Sequence, residues 1–364
     1  MSDNYTAINW NLIAMVDLIV RGAGVLGLTV AWEAAKRGLK VCISDPNGIA
    51  TMASGGIVGA LAPHVPENWN SKKQFQFQSL ISAEEFWKGV DTESGFNSGY
   101  ARLGRLQPID DEKALLLARN RLESSKELWR GLAKWRIIES SGPWSLTSRT
   151  GNWVFDTLSA RINPTDACFS LARAIQKKGG VFEPHLKKYS NIRTVWATGV
   201  HDLERISKFT NVKFRTAVKG QAALFNLNRV DYPQVYANSI HFVPHSNGTF
   251  AVGSTSENEF SSSNTTDERL ERLIENSMSI IPELRRLEPI KRWADVRPRS
   301  ESRAPIVGKH PIIEGDYIVN GGFKIGLGMA PELARVLISL IFDGIDQVPE
   351  AFKPKVKIRN STSG

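Results

Sequence analysis

Between Val16 and Pro46 the chain reads VDLIVRGAGVLGLTVAWEAAKRGLKVCISDP. Val16–Val20 is a short apolar run with the length and composition of a buried parallel strand. Gly22, Gly24 and Gly27 follow in GxGxxG spacing. In such a turn the first glycine lets the chain reverse tightly and the second lets backbone approach a pyrophosphate. The third lets a helix pack closely on the strand. Leu28–Arg37 is Ala-rich and helical, and Gly38 supplies its stop. Leu39–Ser44 is a second strand, with Asp45 at its end, where a carboxylate can accept a hydrogen bond from a ribose hydroxyl. Strand, turn, helix and acid arrive in order, so the stretch predicts a dinucleotide-binding βαβ unit.

The remaining composition narrows the class. At 364 residues and 41% hydrophobic content the chain buries a sizeable core and has the length of two domains. Cys42 and Cys168 are the only cysteines. That is too few for a disulfide framework or a metal cluster, so no metal site is expected and a reducing cytoplasm is the expected compartment. No run reaches the roughly 18 apolar residues of a membrane span. Ala330–Phe342 is apolar but interrupted by Glu332 and Arg335, and reads as a core helix. The opening MSDNYTAINWNLIAM lacks a basic segment leading into a long apolar one, so it does not read as a secretory signal. Met15 abuts the first strand, and the residues before it read as a disordered extension, or translation starts at Met15. The net charge of +9 is scattered apart from a small tail, KPKVKIR at Lys353–Arg359. No basic run interleaved with aromatics marks a nucleic-acid surface, though the charge balance leaves an anionic partner open.

Further along, Gln76–Trp87 and Asp111–Trp135 read as helices with Leu, Trp and Ala on one face. Trp144–Phe155 changes to turns and short aromatic strands. Asn163–Lys178 is a capped helix stopped by Gly179-Gly180, and Arg193–Trp196 is a short strand closing on Ala197-Thr198-Gly199. Phe214–Phe225 and Ile240–Gly253 read as longer strands, the second turning at His245–Gly248. Asp267–Met278 and Pro282–Leu287 read as helix, and a last βα unit spans Tyr317–Phe342. Cofactor-binding pieces thus sit at the beginning, middle and end, with strand-rich material between them. That layout predicts one discontinuous cofactor domain and one substrate domain.

With these segments in this order the chain resembles the D-amino-acid oxidase family of FAD-dependent oxidoreductases, and within it the glycine oxidases of thiamine biosynthesis. The resemblance runs from Val16 to Leu340. It rests on the GAGVLG fingerprint with Asp45, on TMASGGIVGALAP at Thr51–Pro63, on INP at Ile162–Pro164 and on VWATG at Val195–Gly199. VKGQ at Val218–Gln221, the strand pair within Ser239–Thr255, VRPRSESRAPIVG at Val296–Gly308 and NGGFKIGLGMAP at Asn320–Pro331 complete it. The implied fold is α/β with an α+β insert. A Rossmann-like FAD-binding domain would take residues 1–75, 155–205 and 296–364, and a strand-rich substrate-binding domain residues 76–154 and 206–295.

The resemblance also implies the site. FAD would lie against Gly22, Ala23, Gly24, Val25, Leu26 and Gly27, with Asp45 and Pro46 at the ribose. The small-residue loop would contribute Ala53, Ser54, Gly55, Gly56 and Ala60, and the second strand end Thr198 and Gly199. Gly322, Phe323, Lys324, Ile325, Gly326 and Leu327 would face the flavin, where a helix N-terminus can stabilise negative charge near N1. Small residues suit a flat cofactor lying on backbone. Arg297 matches the family's carboxylate-binding arginine, since a guanidinium offers a planar carboxylate a bidentate fork. The alternative is a structural ion pair with Glu301 or Asp295.

Two positions depart from the family pattern. Lys324 stands where glycine oxidases often carry a second arginine; it would attract a second acidic group, help set the carboxylate, or simply be solvated on its turn. His241 stands where several D-amino-acid oxidases carry tyrosine, as a hydrogen-bond donor to a carboxylate or as ordinary packing. Ala53 replaces the histidine that carries a covalent flavin in some relatives, so FAD is expected to be non-covalent; His64 lies just after the loop. The implied reaction is hydride transfer from an amine carbon to flavin N5, leaving an imine that water converts to a keto acid. Oxygen is the expected acceptor, with hydrogen peroxide as product and thiazole synthesis as a destination. No dedicated base is expected. Alternatives left open are an amino-acid dehydrogenase that does not use oxygen, a tRNA wobble-uridine (carboxymethylaminomethyl) oxidoreductase, and an FAD-binding scaffold without turnover. A homo-oligomer is also left open.

Overall fold

The computed structural model describes residues 16–187, 189, 191–210 and 216–355. The readings of the first fifteen residues, of the start of Phe214–Phe225 and of most of the basic tail lie outside them. The chain opens with β1 (Leu18–Arg21), α1 (Val25–Lys36) and β2 (Val41–Ser44), the predicted order. Then come β3 (Ala60–Leu61), α2 (Ser71–Ser94), β4 (Arg105–Ile109), α3 (Glu112–Leu128), β5 (Trp135–Ile138), β6 (Asn152–Asp156) and β7 (Ala160–Arg161). A second cofactor-type stretch holds α4 (Pro164–Lys177), β8 (Val181–Phe182), β9 (Arg193–Trp196) and α5 (Val200–Thr210). A meander of β10 (Ala217–Asn226), β11 (Gln234–Ala237), β12 (Ile240–Pro244) and β13 (Thr249–Gly253) leads to α6 (Glu268–Ile280). The chain finishes with β14 (Lys291–Pro298), β15 (Ile306–Lys309), β16 (Tyr317–Asn320) and α7 (Gly326–Ile338).

The strands form two main sheets. The six-stranded one runs β15-β16-β9-β1-β2-β8 and is parallel except at β15–β16. Sequence-distant segments thus meet in one sheet, with β9 and β16 reaching the same side of β1. Their buried Leu18, Val20, Val195 and Val319 pack on α1, α2, α4 and α7. The eight-stranded sheet runs β14-β10-β13-β12-β11-β4-β6-β5 and is antiparallel except at β11–β4. One of its faces is apolar, with Phe225, Val235, Phe242 and Phe250 against Leu270, Leu273 and Ile274 of α6. A short β3–β7 pair completes the strands.

The helix starts are set by side chains that accept from unpaired backbone N–H groups. Asn70 accepts from Lys73 N ahead of α2, Asp111 from Ala114 N ahead of α3, and Asn163 from Asp166 N ahead of α4. Three readings are corrected. The helix predicted to reach Trp135 stops at Leu128, because Arg130 and Gly131 both take left-handed φ (50° and 75°) and Trp135 then enters β5. The Gln76–Trp87 helix extends to Ser71–Ser94, from its Asn70 cap to Gly95 at φ 68°. The last helix begins at Gly326, ahead of the apolar run, and gives way at Ser339–Asp343 to a wider turn ended by Gly344.

Two buried polar contacts tie the sheet to its surroundings. Arg105 Nε donates to Asp156 Oδ2 at 3.1 Å, and Asp156 also accepts from Ser159 N and Oγ. His245, buried on the β12–β13 hairpin, donates Nε2–H to Ile57 O at 2.8 Å. Asp156→Ala leaves the Arg105 guanidinium buried without its carboxylate and should cost about 3–5 kcal/mol, read from urea unfolding. An unchanged midpoint would show the pair adds nothing. Burial foremost, with Arg161 adding, pushes His245 down from 6.5 to about 4 while the Ile57 bond opposes. Both states are neutral above 6.5. Between 6.5 and about 4 only the unfolded chain takes the proton, so stability falls as pH falls, by up to about 1.4 kcal/mol per unit. The fall in unfolding free energy from about pH 7.5 to about pH 5 should be smaller in His245→Gln than in the parent; equal falls would remove His245 from the acid response.

Candidate active site

A cavity of ≈ 440 Å³ opens at the carboxyl ends of β1, β2, β9 and β16, within the usual range for a cofactor site. On its wall stand Gly22, Gly24, Val25 and Leu26, then Asp45 and Pro46, Ala53 and Ser54, Thr198 and Gly199. Gly322, Phe323, Lys324, Gly326 and Leu327 close it from the last βα turn. Ala23, Gly27, Gly55, Gly56, Ala60 and Ile325 stand behind the wall. Ala23 N–H donates to Asp45 Oδ2 at 2.9 Å, which fixes the carboxylate. A Cβ on Gly27 would lie 2.1 Å from Gly22 O, and one on Gly55 would lie 2.3 Å from Ala50 O, so both glycines serve the local chain path. Ala60 pairs with Arg161 in the β3–β7 ladder, and Ile325 precedes α7.

The donor set suits an anionic dinucleotide. α1 and α7 both begin at the cavity, with no side-chain cap and no acid in the first turn. Two positive helix ends therefore face one space. Val25 N–H donates to Ser54 Oγ at 3.0 Å, drawing the small-residue loop onto the turn. A Cβ on Gly22 (φ 107°) would sit 2.4 Å from Ala197 O, and one on Gly322 would sit 2.8 Å from Gly326 Cα. Asp45 keeps lone pairs for a ribose although Asn47 N–H also donates to Oδ1 at 3.0 Å. His64 is not on the wall; it is held by Gln76.

The sequence reading did not single out Trp196, His201, Asp202 and Arg205, which also line the cavity, nor Val296, Pro298 and Asn320. Trp196 Nε1–H donates to Asp316 at 2.8 Å, and the Arg21 and Arg205 guanidinium groups lie 5.1 and 4.4 Å from its ring. Arg205 also pairs with Asp202, which meets His310 at 3.2 Å. The i, i+3 spacing of Asp202 and Arg205 after Gly199 was the available signal.

Arg297 and His241 stand on the eight-stranded sheet. Alternation along β14 puts Trp293, Asp295 and Arg297 on one face, across from Ala222, Gly220 and Val218. The Arg297 guanidinium lies over Gly220, where a Cβ would come within 1.9 Å of it. That is the physical reason for glycine in the VKGQ segment. Arg297 donates to Ser254 Oγ at 2.7 Å and to Thr255 O at 3.3 Å. Among the described residues no carboxylate lies within 4 Å of it, so the ion pair with Glu301 or Asp295 does not form. Burial pulls its pKa down to about 10, against the pull of Glu257 and Asp295, which leaves it charged at neutral pH.

His241 pairs across the β11–β12 hairpin with Tyr236, ring centroids 4.6 Å apart. The hairpin turns at Asn238 and Ser239, both left-handed, which sets this register. Burial first, then the charges of Arg105 and Lys324, pushes His241 down to about 3, so it is neutral, and its Nδ1 has no partner among the described residues. Lys324 stands on the cavity wall with its side chain open to solvent on one side, and partial loss of water around its ammonium, together with the charge of Arg297, lowers its pKa. Lys324 therefore lies within electrostatic reach of both Arg297 and His241, and of the three it alone stands on the cavity wall.

Known proteins share this arrangement of sheets. A glycine oxidase of Pseudomonas aeruginosa is 25% identical over 353 residues, covering 89% of this chain and 94% of the relative. Among solved structures, an iminodiacetate oxidase from Chelativorans sp. BNC1 superposes with a TM-score of 0.80 at 19% identity, over 93% of this chain and 98% of that one. A glycine oxidase from Bacillus cereus gives 0.77 at 19% identity, over 91% and 96%. The DAO family model, described as FAD dependent oxidoreductase, matches residues 17–340. The chain belongs to the DAO family of FAD-dependent oxidoreductases.

Proposed function

We propose that this oxidoreductase acts on a small amine that carries a carboxylate, of the glycine or D-amino-acid type, and gives an imine that water converts to a keto acid. The observation that carries the reading is Arg297, a charged guanidinium without a carboxylate partner among the described residues, on β14, the strand whose Val296 and Pro298 reach the cavity. Its fork suits the substrate carboxylate. The six-stranded sheet and its helices hold the cofactor, and the eight-stranded sheet presents the substrate groups.

FAD, when bound, supplies the acceptor for the hydride and passes the electrons on to oxygen. The chain's part is binding, orientation and charge. Asp45 and the α1 N-terminus serve the ribose and pyrophosphate, and the α7 N-terminus serves the flavin end. Arg297 anchors the carboxylate, and neutral His241 offers Nδ1 to a donor such as the amine N–H. Holding the amine carbon in one place against the acceptor accounts for much of the rate such a site can provide. The reading takes the cofactor as non-covalent, because Ala53 has no atom able to form the link and His64 is engaged with Gln76.

Two outcomes are expected. Acid precipitation of the purified yellow protein should leave FAD in the supernatant; flavin retained on the denatured chain would refute non-covalent binding. Glycine, sarcosine or a small D-amino acid should bleach the flavin anaerobically, and air should restore it with peroxide release. In Arg297→Ala, apparent binding of those substrates should weaken by about 2–5 kcal/mol while FAD content holds. A mutant that oxidises carboxylated amines as the parent does would make Arg297 structural only.

A further inference from the structure

The acids around Arg297 and Lys324 are already committed. Glu257 accepts from Arg269 at 2.9 Å and from Gln221 at 2.8 Å. Asp295 Oδ1 accepts from its own Val296 N–H, and burial pushes its carboxyl up, toward the uncharged form. The bridge between Arg299 and Gly322 sets the last turn against β14, so Lys324 lies near enough to Arg297 for that charge to disfavour its own, and neither cation has an anion partner among the described residues. One carboxylate answers Arg297 and leaves Lys324. The cofactor's own negative charge is met by the α7 N-terminus, which has no side-chain cap and no acid in its first turn. Lys324 is on the cavity wall, and the last turn runs beside β14, where Arg299 bridges Gly322 and Phe323 N–H donates to Pro298 O at 3.0 Å, which brings Lys324 alongside the stretch that carries Arg297.

We propose that the amine taken by this site carries two carboxylates, the one beside the reacting carbon held by Arg297 and the second held by Lys324. The proposal rests on the amine-oxidation reading above and names its substrate class: N-carboxymethyl or acidic amino acids in preference to glycine and sarcosine. A lysine suits the second carboxylate because a compact ammonium on a flexible stem follows an end group whose position varies with the substrate. Arg297, held by Ser254 and Thr255, suits the end that must not move.

The test uses FAD-loaded enzyme and two ligands that lack an amine and so bind without reacting. Diglycolate carries two carboxylates about an ether oxygen; methoxyacetate is its counterpart with one. Each is titrated while the flavin spectrum is followed. The parent should bind diglycolate about tenfold more tightly, the gain expected of one solvent-screened charge pair. In Lys324→Met that ratio should fall to within about threefold, and in Lys324→Arg it should persist. Equal binding of the two ligands by the parent would overturn the proposal. A ratio kept in Lys324→Met, with both ligands weakened alike, would also overturn it and assign Lys324 to Arg297 or to the flavin. Sarcosine and iminodiacetate, compared as reductants of the parent flavin, separate the two levels. Bleaching by sarcosine with no advantage for iminodiacetate removes the dicarboxylate and keeps amine oxidation. No bleaching by either, nor by glycine or D-aspartate, removes the function and the proposal with it.

Discussion

Three backbone segments meet at the head of α1 with no side chain between them, and the rest of the site depends on that contact. A methyl group on Gly27 would lie 2.1 Å from Gly22 O, and one on Gly22 would lie 2.4 Å from Ala197 O at the end of β9. Backbone that close cannot yield by rotating a side chain, so the direction in which α1 points is fixed by the absence of two Cβ atoms. Further contacts follow from it. Ala50 N–H donates to Ala23 O and Val25 N–H to Ser54 Oγ, pinning the loop at both places to the same turn. The far side of that loop, at Gly56, packs on the Trp293 ring of β14, the strand that carries Arg297. The glycine contact in the cofactor sheet is thus connected, through the loop and Trp293, to the strand that carries Arg297 in the other sheet.

The eight-stranded sheet treats charge differently on its two faces. On the α6 side, Lys219 is almost fully buried but lies 3.4 Å from Asp267 and 3.8 Å from Glu257, while Gln221 ties both acids together. Asp267 is at the same time the cap of α6, so the network closes on itself and fixes the helix to the sheet. On the other side, Arg297 has only a hydroxyl and a carbonyl. Neighbouring strand positions, Val296 against Lys219 and Arg297 against Val218, thus place an ion-paired cation on one face and a cation without a carboxylate partner among the described residues on the other. Burying a cation without its anion is costly. On the proposed reading, a bound substrate carboxylate would supply the missing partner.

Much of this was legible in the sequence where local chemistry decides the outcome. Glycine spacing, the Asn163 cap with Pro164 behind it, and the strand at Arg193–Trp196 each depend on near neighbours, and each element lies where the pattern places it. What was not legible depends on distant contacts. Nothing in HDLER announces that Asp202 and Arg205 share a buried network with His310, more than a hundred residues away. Likewise VKGQ gives no hint that its glycine clears space for a guanidinium on another strand. The helix ending at Leu128 was over-read for a different reason: apolar spacing continued through Trp135, while two left-handed residues had already turned the chain. His241 and Lys324 could be marked as departures from a family pattern. That they act on one another through space became visible only when β12 and the last turn were folded together.

The same field bears on why such a site needs no general base. Oxidation at the amine carbon requires the lone pair on nitrogen, so the ammonium form must give up its proton. Positive charge nearby disfavours a second positive charge, and burial acts in the same direction. His241 records both effects: burial, Arg105 and Lys324 together push its imidazole down to about 3. An amine placed near it meets the same opposition to carrying a proton. If Arg297 anchors the substrate carboxylate as proposed, its charge would add to that field, and binding and deprotonation would draw on one set of charges. A carboxylate base in this space would work against the chemistry, since it would hold the ammonium as an ion pair. On the proposed reading, the lack of an uncommitted acid beside Arg297 and Lys324 among the described residues would serve amine oxidation as much as the presence of the cations does.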